Sequence, residues 1–263
     1  MRTERFTEFG ETPRYLETLQ RAFINLAAPL LFVALTLCST FVISRVDLAG
    51  QTRSAFDRSV RQLLVLTLGP PRVGLQIGHD GAAEQPGELA HLRFNTGGFA
   101  GGLSELSVNR SVAAALKRTL EARGITVDLL TATPPEGYHA DLLLALHADS
   151  VADTTRTGYK SAYFDPPRSG LEPQLKSFID ADYLQLTGLP DDTKNTTGAM
   201  REYYAFNFHS YRHTVHPATP ALIVELGYLS NPLDAALLRE PDVLADALAG
   251  GVVRFLESRN RLP

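Results

Sequence analysis

The sequence contains little cysteine and no cluster of basic residues. Its single cysteine, Cys38, excludes a disulfide bond within the chain. Lysine and arginine together number 25 against 29 acidic residues, which gives a net charge of -4. Nucleic-acid-binding proteins carry basic patches that neutralise phosphates, so this charge pattern argues against nucleic acid as a partner. The chain also lacks internal repeats, and its 263 residues suffice for one sizeable domain with an appendage.

Charge is absent from residues 22–44, and this apolar run predicts a transmembrane helix. A helix of this length would reach roughly 34 Å, enough to cross a bilayer. A cleavable signal peptide is the alternative, but its apolar region would be shorter and small residues would follow it. We therefore expect a short segment at residues 1–21, an uncleaved membrane anchor at 22–44, a membrane-proximal helical stalk at 45–71 and one large domain at 72–263.

From residue 72 onward, strand-like and helix-like segments alternate along the chain. Short apolar runs are separated by stretches in which apolar residues recur at helical spacing, as do Val112, Leu116 and Leu120. This alternation is typical of an α/β fold, with a mainly parallel sheet and helices on both faces. The predicted strands are residues 73–77, 125–130, 142–146, 159–164 and 221–224; the predicted helices are 104–123, 171–186, a short one from 232 and a last one at 241–256.

Three of the predicted strands are followed by a side chain that can bind a metal ion or move a proton. His79 comes after the first strand, His147 after the third and Glu225 after the last. The carboxyl ends of strands in such a sheet converge on one crevice, so groups distant in sequence can meet there. Glu105 opens the first helix and would complete the set. Two histidines and a glutamate are a known ligand set for catalytic zinc, so the pattern predicts a metal-hydrolase site.

Each of these residues also has an ordinary explanation when it is considered alone. A lone histidine after a strand is more often a packed core residue than a ligand. Glu225 is harder to explain in this way, because it lies between Val224 and Leu226 in an apolar run. A carboxylate there is costly to bury without a cation, a metal ion or hydrogen bonds.

Four sequence blocks carry a resemblance to a known family. They are GHDG at residues 78–81, SELSVNRSVAAALKRTLEARGITV from Ser104, LALHADS from Leu144 and PALIVELGYLSNP from Pro220. In this order and spacing, the blocks resemble the zinc-dependent N-acetylmuramoyl-L-alanine amidases, which cleave peptidoglycan. The resemblance covers about residues 72–256.

The resemblance implies that His79, Glu105 and His147 hold Zn²⁺ and that Glu225 is the catalytic carboxylate. It also implies a peptidoglycan hydrolase that cuts the amide between the lactyl group of N-acetylmuramic acid and L-alanine. Such a substrate lies outside the bacterial cytoplasmic membrane, so we expect a single-pass protein with its catalytic domain on the outer side and residues 1–21 inside. The family has glycine after the first histidine where this chain has Asp80. Asp80 is either a partner that orients an imidazole or a solvated loop residue.

Several alternatives stay open at this level. A second metal cluster is conceivable at His209, His213 and His216, although these residues lack the strand-end placement of the first set. The aromatic residues Tyr203, Tyr204 and Phe206 are candidates for contact with glycan or peptide, or for ordinary packing. One alternative function is a catalytically silent or regulatory cell-wall-binding module of the same fold. Another is a zinc hydrolase that cleaves a different amide. Whether the domain has a protein partner stays unknown from the sequence.

Overall fold

The structure, a computed structural model, describes residues 69–262. Seven strands and five α-helices follow one another along this part of the chain. The strands are β1 (Arg72–Ile77), β2 (Phe99–Ala100), β3 (Leu103–Ser104), β4 (Thr126–Leu130), β5 (Leu142–Asp149), β6 (Lys160–Ala162) and β7 (Ala221–Tyr228). The helices are α1 (Glu105–Glu121), α2 (Glu172–Thr187), α3 (Gly198–Arg201), α4 (Pro232–Leu237) and α5 (Pro241–Ser258).

Five of the strands form one sheet in the order β4-β1-β5-β7-β6. The first four of these are parallel to one another, and β6 runs antiparallel to β7 at the edge. Parallel neighbours need crossover connections, which the helices between the strands supply. The prediction of a mainly parallel α/β sheet is therefore confirmed. Strands β2 and β3 form a separate two-stranded hairpin just before α1.

The two faces of the sheet are covered unequally. The long helices α1, α2 and α5 all pack in one core with alternate strand residues such as Leu144 and Val224. On the opposite face, the other strand residues pack against an irregular segment that includes Phe206 and Val215. We expected helices on both faces, but among the described residues of this second core, the helical ones belong to the four-residue α3 and a short 3-10 helix, Tyr204–Phe206. Its segment is rich in threonine and aromatic residues, which favour a long helix less than alanine or leucine does.

Two strands continue past the carboxyl ends that the sequence predicts, β5 to Asp149 and β7 to Tyr228. The parallel pairing of β5 with β7 continues past the predicted ends, with His147 directly beside Glu225 in the register. An irregularity in this pairing lies between His147 and Asp149. Both candidate site residues therefore lie inside strands rather than after them. The rigid ladder fixes the separation of their backbones.

Helix α1 begins at Glu105, one residue later than predicted. Ser104 is its N-cap, and its hydroxyl oxygen accepts a hydrogen bond from the backbone N–H of Ser107 at 3.1 Å. This bond satisfies one of the free N–H groups of the first turn. Glu105 is thereby fixed at the first position of the helix.

The predicted anchor at residues 22–44 lies outside the described residues, as do the segment at 1–21 and nearly all of the stalk predicted at 45–71. Within residues 69–262, no helix is both long enough and apolar enough to cross a membrane.

Candidate metal centre

His79, Glu105 and His147 come together at the carboxyl end of the sheet. One carboxylate oxygen of Glu105 lies 3.0 Å from Nε2 of His79 and 2.9 Å from Nδ1 of His147. The three groups offer ligand atoms within 4.8 Å of one another. Among the described residues, this is the cluster of three such side chains that could hold a metal ion. Three different elements bring these residues together: His79 follows β1, Glu105 begins α1 and His147 lies in β5.

The backbone at the end of β1 brings His79 over the sheet. His79 has a φ of 68°, in the left-handed region that residues other than glycine rarely adopt. Its Nδ1 lies 2.9 Å from the backbone carbonyl of Asn95, which accepts the Nδ1–H and directs Nε2 toward Glu105. Gly78 leaves room for the other imidazole, since a Cβ there would lie 2.4 Å from Cε1 of His147.

Glu105 is held by both its backbone and its side chain. Its second carboxylate oxygen accepts a 2.9 Å hydrogen bond from the N–H of Gly98, and its own N–H donates to the Gly98 carbonyl at 2.9 Å. Burial by itself would raise the pKa of this carboxyl. Hydrogen bonds and charge from His147 and His79 outweigh burial and hold the pKa well below its usual range. The helix N-terminus also favours negative charge at this position.

The imidazoles have partners on the side away from Glu105 as well. Nε2 of His147 lies 3.0 Å from the hydroxyl of Tyr203, which lies 3.5 Å from the hydroxyl of Tyr204. Tyr204 in turn donates to the carbonyl of Ala132 at 2.5 Å. Burial by itself would lower the pKa of His79, but the hydrogen bond and charge of Glu105 raise it above its ordinary value. Two imidazole nitrogens and a carboxylate oxygen, each oriented by a further group, suit a divalent metal ion.

Glu225 lies beside this cluster, on β7. Its Oε2 is buried and has no hydrogen-bond partner among the described residues. Burial, with the negative charges of Glu105 and Asp149, raises the pKa of Glu225 well above its ordinary value, and the charge of Lys160 opposes that rise. Lys160, on β6, pairs with Glu225 in the register of β6 and β7. Its ammonium group donates hydrogen bonds to the carboxylate of Asp149 and to the hydroxyl of Tyr228.

The structure answers the question about Asp80. Its carboxylate forms an ion pair with Arg110 on α1, and Nε of Arg110 donates to it at 3.0 Å. The imidazole of His79 is oriented by the Asn95 carbonyl instead. Asp80 is therefore neither an imidazole partner nor free in solvent.

The other histidines do not form a second metal cluster in the described part of the chain. Nδ1 of His213 lies 2.8 Å from a carboxylate oxygen of Glu88, the ring of His209 packs on Phe208, and that of His216 packs near His139. The prediction of a rival site at these residues is not supported. His209 and His213 would share one face only if the segment were helical, and it is not helical, so their spacing does not place them side by side.

A cavity of about 350 Å³ opens beside the cluster. Tyr203 and Tyr204 line it, whereas Phe206 is fully buried in the core. The aromatic segment thus packs in part against the core, as one reading of the sequence predicts, whereas contact with glycan or peptide stays a prediction. The sequence did not indicate that Tyr203 would contact His147, and nothing in it could indicate the backbone groups of Asn95 and Gly98.

The mainly parallel sheet, with a His-Glu-His cluster that could hold a metal ion and a buried carboxylate at its carboxyl edge, defines an α/β domain with a candidate metal site. The family profile of the N-acetylmuramoyl-L-alanine amidases matches residues 73–256. The chain therefore belongs to the N-acetylmuramoyl-L-alanine amidase family. The predicted resemblance is confirmed.

Individual relatives are distant. The probable cell wall amidase LytH of Staphylococcus aureus is 26% identical over 149 residues, which are 53% of this chain and 46% of that protein. The chain thus spans about half the length of the curated relatives it matches. The N-acetylmuramyl-L-alanine amidase of Mycobacterium smegmatis superposes with a TM-score of 0.52 at 19% identity, over 72% of this chain and 98% of that one. The CwlD amidase of Clostridioides difficile, solved in complex with the GerS lipoprotein, gives 0.51 at 16% identity, over 72% and 99%. Both structures share the fold of this chain.

Proposed function

We propose that this protein is a zinc-dependent N-acetylmuramoyl-L-alanine amidase that cleaves peptidoglycan between the lactyl group of N-acetylmuramic acid and L-alanine. The observation that carries this proposal is the Glu105 carboxylate, one oxygen of which lies within 3.0 Å of both imidazoles. His79, Glu105 and His147 would hold Zn²⁺ as a His₂Glu set. Membership of the amidase family supports the reaction and the substrate.

When bound, Zn²⁺ supplies a Lewis acid that lowers the pKa of a water molecule and polarises the scissile carbonyl. Glu225 is the proton carrier in this proposal. Its carboxylate accepts a proton from the attacking water and delivers it to the nitrogen of the departing L-alanine. The buried Oε2, which has no partner among the described residues, suits a group that must bind and release a proton. Lys160 supplies the cationic charge that favours the ionised form of Glu225.

We further propose that the protein is anchored in the bacterial cytoplasmic membrane through residues 22–44, with the catalytic domain on the cell-wall side. The apolar run supports the anchor. Within the described domain, the chain enters at the opposite end of the sheet from the candidate site. Pro70 lies there, beside Arg261, and β1 then runs toward His79. A site at the far end of the domain from the entering chain favours access to a substrate outside the membrane.

The test uses the full chain, purified in detergent, and peptidoglycan as substrate. Soluble products are identified by mass spectrometry with added zinc, with a chelator, and for Glu225→Gln. We expect stem peptides that begin with L-alanine, and we expect the chelator to abolish their release. Loss of the proton carrier should reduce the rate at least about 100-fold while bound zinc stays near that of the wild type. Glu257→Gln, an exposed carboxylate on α5, is the matched control.

Other outcomes would assign the alternatives. Bound zinc without any released peptide would contradict the amidase proposal and favour a wall-binding module of the same fold. Products cut at a different amide would identify a zinc hydrolase of another bond. Equal activity of the wild type and Glu225→Gln would remove Glu225 from the proposed chemistry.

A further inference from the structure

Glu225 is not among the described residues that line the cavity beside the candidate metal site. His147 is on β5, which lies between β1 and β7 in the sheet. The cavity is lined by residues that follow β1 and β4, such as His79, Asn95 and Ala132, and by α3 and the segment after it. No β6 or β7 residue is among the described residues that line it. In the strand order, Glu225 on β7 therefore lies on one side of His147, and the cavity residues that follow β1 and β4 lie on the other.

The positions of Glu225 and the cavity suggest a direction for the substrate across the proposed metal site. If Glu225 delivers a proton to the departing amine, the peptide that leaves lies on the β7 side. The acyl half of the scissile amide, which carries the lactyl group and its sugar, then extends from the metal site in the other direction. The cavity is the space available on that side. A volume of about 350 Å³ is within the ordinary range of small-molecule sites.

The lining of the cavity suits a neutral sugar better than a peptide that carries carboxylates. Among the described residues that line it, none is lysine or arginine, and Glu202 contributes negative charge. Tyr203, Tyr204 and Tyr211 offer aromatic surface with polar hydroxyl groups. Aromatic side chains with a polar end contact the apolar faces of a sugar and its hydroxyl groups at once.

Among the described residues of this lining, one has a buried side-chain atom without a hydrogen-bond partner. Gln85 is only 3% exposed, and its amide oxygen is buried without a hydrogen bond to any described residue. Two hydrogen bonds hold the backbone of Gln85. Its N–H donates to the backbone carbonyl of Ala82 at 3.3 Å, and its own carbonyl accepts from Nε of Arg93 at 2.7 Å. A buried amide that is left unsatisfied is costly, and such groups in native proteins usually have a purpose.

We propose that the cavity binds the acetamido sugar on the acyl side of the scissile bond, and that the side-chain amide of Gln85 recognises the acetamido group. An amide side chain offers one acceptor and two donors, and a half-turn of its last torsion exchanges them. It can therefore complement both the N–H and the carbonyl of an acetamido group. This inference rests on the proposed function, because the direction of the sugar follows from the role given to Glu225.

The test compares two soluble muropeptides that differ only in the acetyl group on the muramic acid nitrogen. Kinetic constants are measured with zinc-loaded full chain for the wild type, for Gln85→Met, which keeps the length of the side chain without its amide, and for Gln85→Glu. Gln185→Met, an exposed position on α2, is the matched control. We expect the wild type to show a KM about tenfold higher for the substrate that lacks the acetyl group, with little change in kcat.

Gln85→Met should show the same increase of about tenfold on the acetylated substrate and no further increase on the other. An equal increase on both substrates would overturn the proposal, because Gln85 would then act on some other part of the site. An unchanged KM on the acetylated substrate would overturn it as well. Gln85→Glu, which keeps an acceptor but loses the donors, should fall between the wild type and Gln85→Met.

A binding experiment separates this inference from the proposed function. The probes are the disaccharide of N-acetylglucosamine and its fully deacetylated form, titrated into zinc-loaded wild type and Gln85→Met by calorimetry. Preferential binding of the acetylated probe, lost in Gln85→Met, would support the sugar site even if no amide were hydrolysed. Hydrolysis of peptidoglycan with equal affinity for the two probes would overturn the sugar site and leave the amidase proposal standing.

Discussion

At the residue scale, two carboxylates a short distance apart have opposite protonation behaviour. Hydrogen bonds and charge from two imidazoles overcome burial and keep the pKa of Glu105 low, whereas burial and neighbouring carboxylates raise the pKa of Glu225. In catalytic sites, two neighbouring acids often have different environments that separate their pKa values, so that one acid stays ionised and the other carries a proton. The ionised group suits a metal ligand, and the other suits a proton carrier.

The raised pKa of Glu225 predicts a pH-dependent stability in the chelator-treated protein. In the unfolded chain a glutamate titrates at about 4.3. In the folded state Glu225 keeps its proton to higher pH, so the unfolding free energy falls as pH rises from about 4.3 to the raised pKa. This loss should be absent in Glu225→Gln. Chemical unfolding of both proteins across pH 4 to 9 measures the difference.

Glu257→Gln is the control for this comparison, since the exposed Glu257 should add no such pH dependence. A stability difference between the wild type and Glu225→Gln that stays constant with pH would contradict the prediction. It would mean that the carboxyl of Glu225 titrates at the same pH in both states.

The contact of Tyr203 with His147 predicts a role in metal affinity. Removal of the hydroxyl in Tyr203→Phe leaves Nε2 of His147 without its partner at 3.0 Å. Groups that orient a ligating imidazole typically contribute about 10-fold to 100-fold in metal affinity. We expect zinc to bind Tyr203→Phe at least about tenfold more weakly, as measured by competition with a chromogenic chelator. Tyr211→Phe, in the same cavity, should bind zinc like the wild type.

At the scale of elements, the end of β1 is shaped by the need to fit two imidazoles. Gly78 follows the strand, close to the ring of His147, and His79 then turns back with a positive φ. A residue in the left-handed region is held there only when its surroundings compensate the strain. The Asn95 carbonyl and the Glu105 carboxylate provide that compensation through both nitrogens of His79.

Gly78→Ala should therefore disrupt the cluster without a change in charge. Its Cβ would lie 2.4 to 2.7 Å from three atoms of the His147 ring, so the imidazole or the strand must move. We expect loss of stoichiometric zinc binding, measured by metal analysis after gel filtration. Gly87→Ala is the control, because a Cβ at Gly87 would meet nothing within 4 Å. Normal zinc content in Gly78→Ala would show that the site tolerates a shifted His147.

At the scale of the whole molecule, the candidate ligands join three elements that are far apart in the sequence. His79 follows β1, Glu105 opens α1 and His147 lies in β5, so the cluster exists only when the sheet and α1 are packed together. An ion that binds this arrangement and not the unfolded chain stabilises the folded domain.

Zinc should accordingly raise the unfolding free energy of the domain. At a free zinc concentration 100 times the dissociation constant, the increase would be about 2.7 kcal/mol. Chemical unfolding of the chelator-treated protein, with and without added zinc, measures it. In His147→Ala the increase should be much smaller, and an equal increase in both proteins would place the stabilising ion elsewhere.

The sequence by itself determined the strand and helix alternation of the domain. Apolar runs such as residues 142–146 and helical spacing such as that of Val112 and Leu116 are local patterns, and local patterns set the type of each element. The motif blocks also identified the amidase family and named the four candidate site residues. Their proposed roles remain predictions, as do the anchor and its orientation.

Only the tertiary structure decided how the elements are arranged around the site. The sequence predicted helices on both faces, whereas α1, α2 and α5 share one face and an irregular aromatic segment covers the other. It could not show that Tyr203 contacts His147, or that Lys160 stands opposite Glu225. The physical reason is that these relations join residues distant in the chain through packing and strand register, and no local spacing encodes either one.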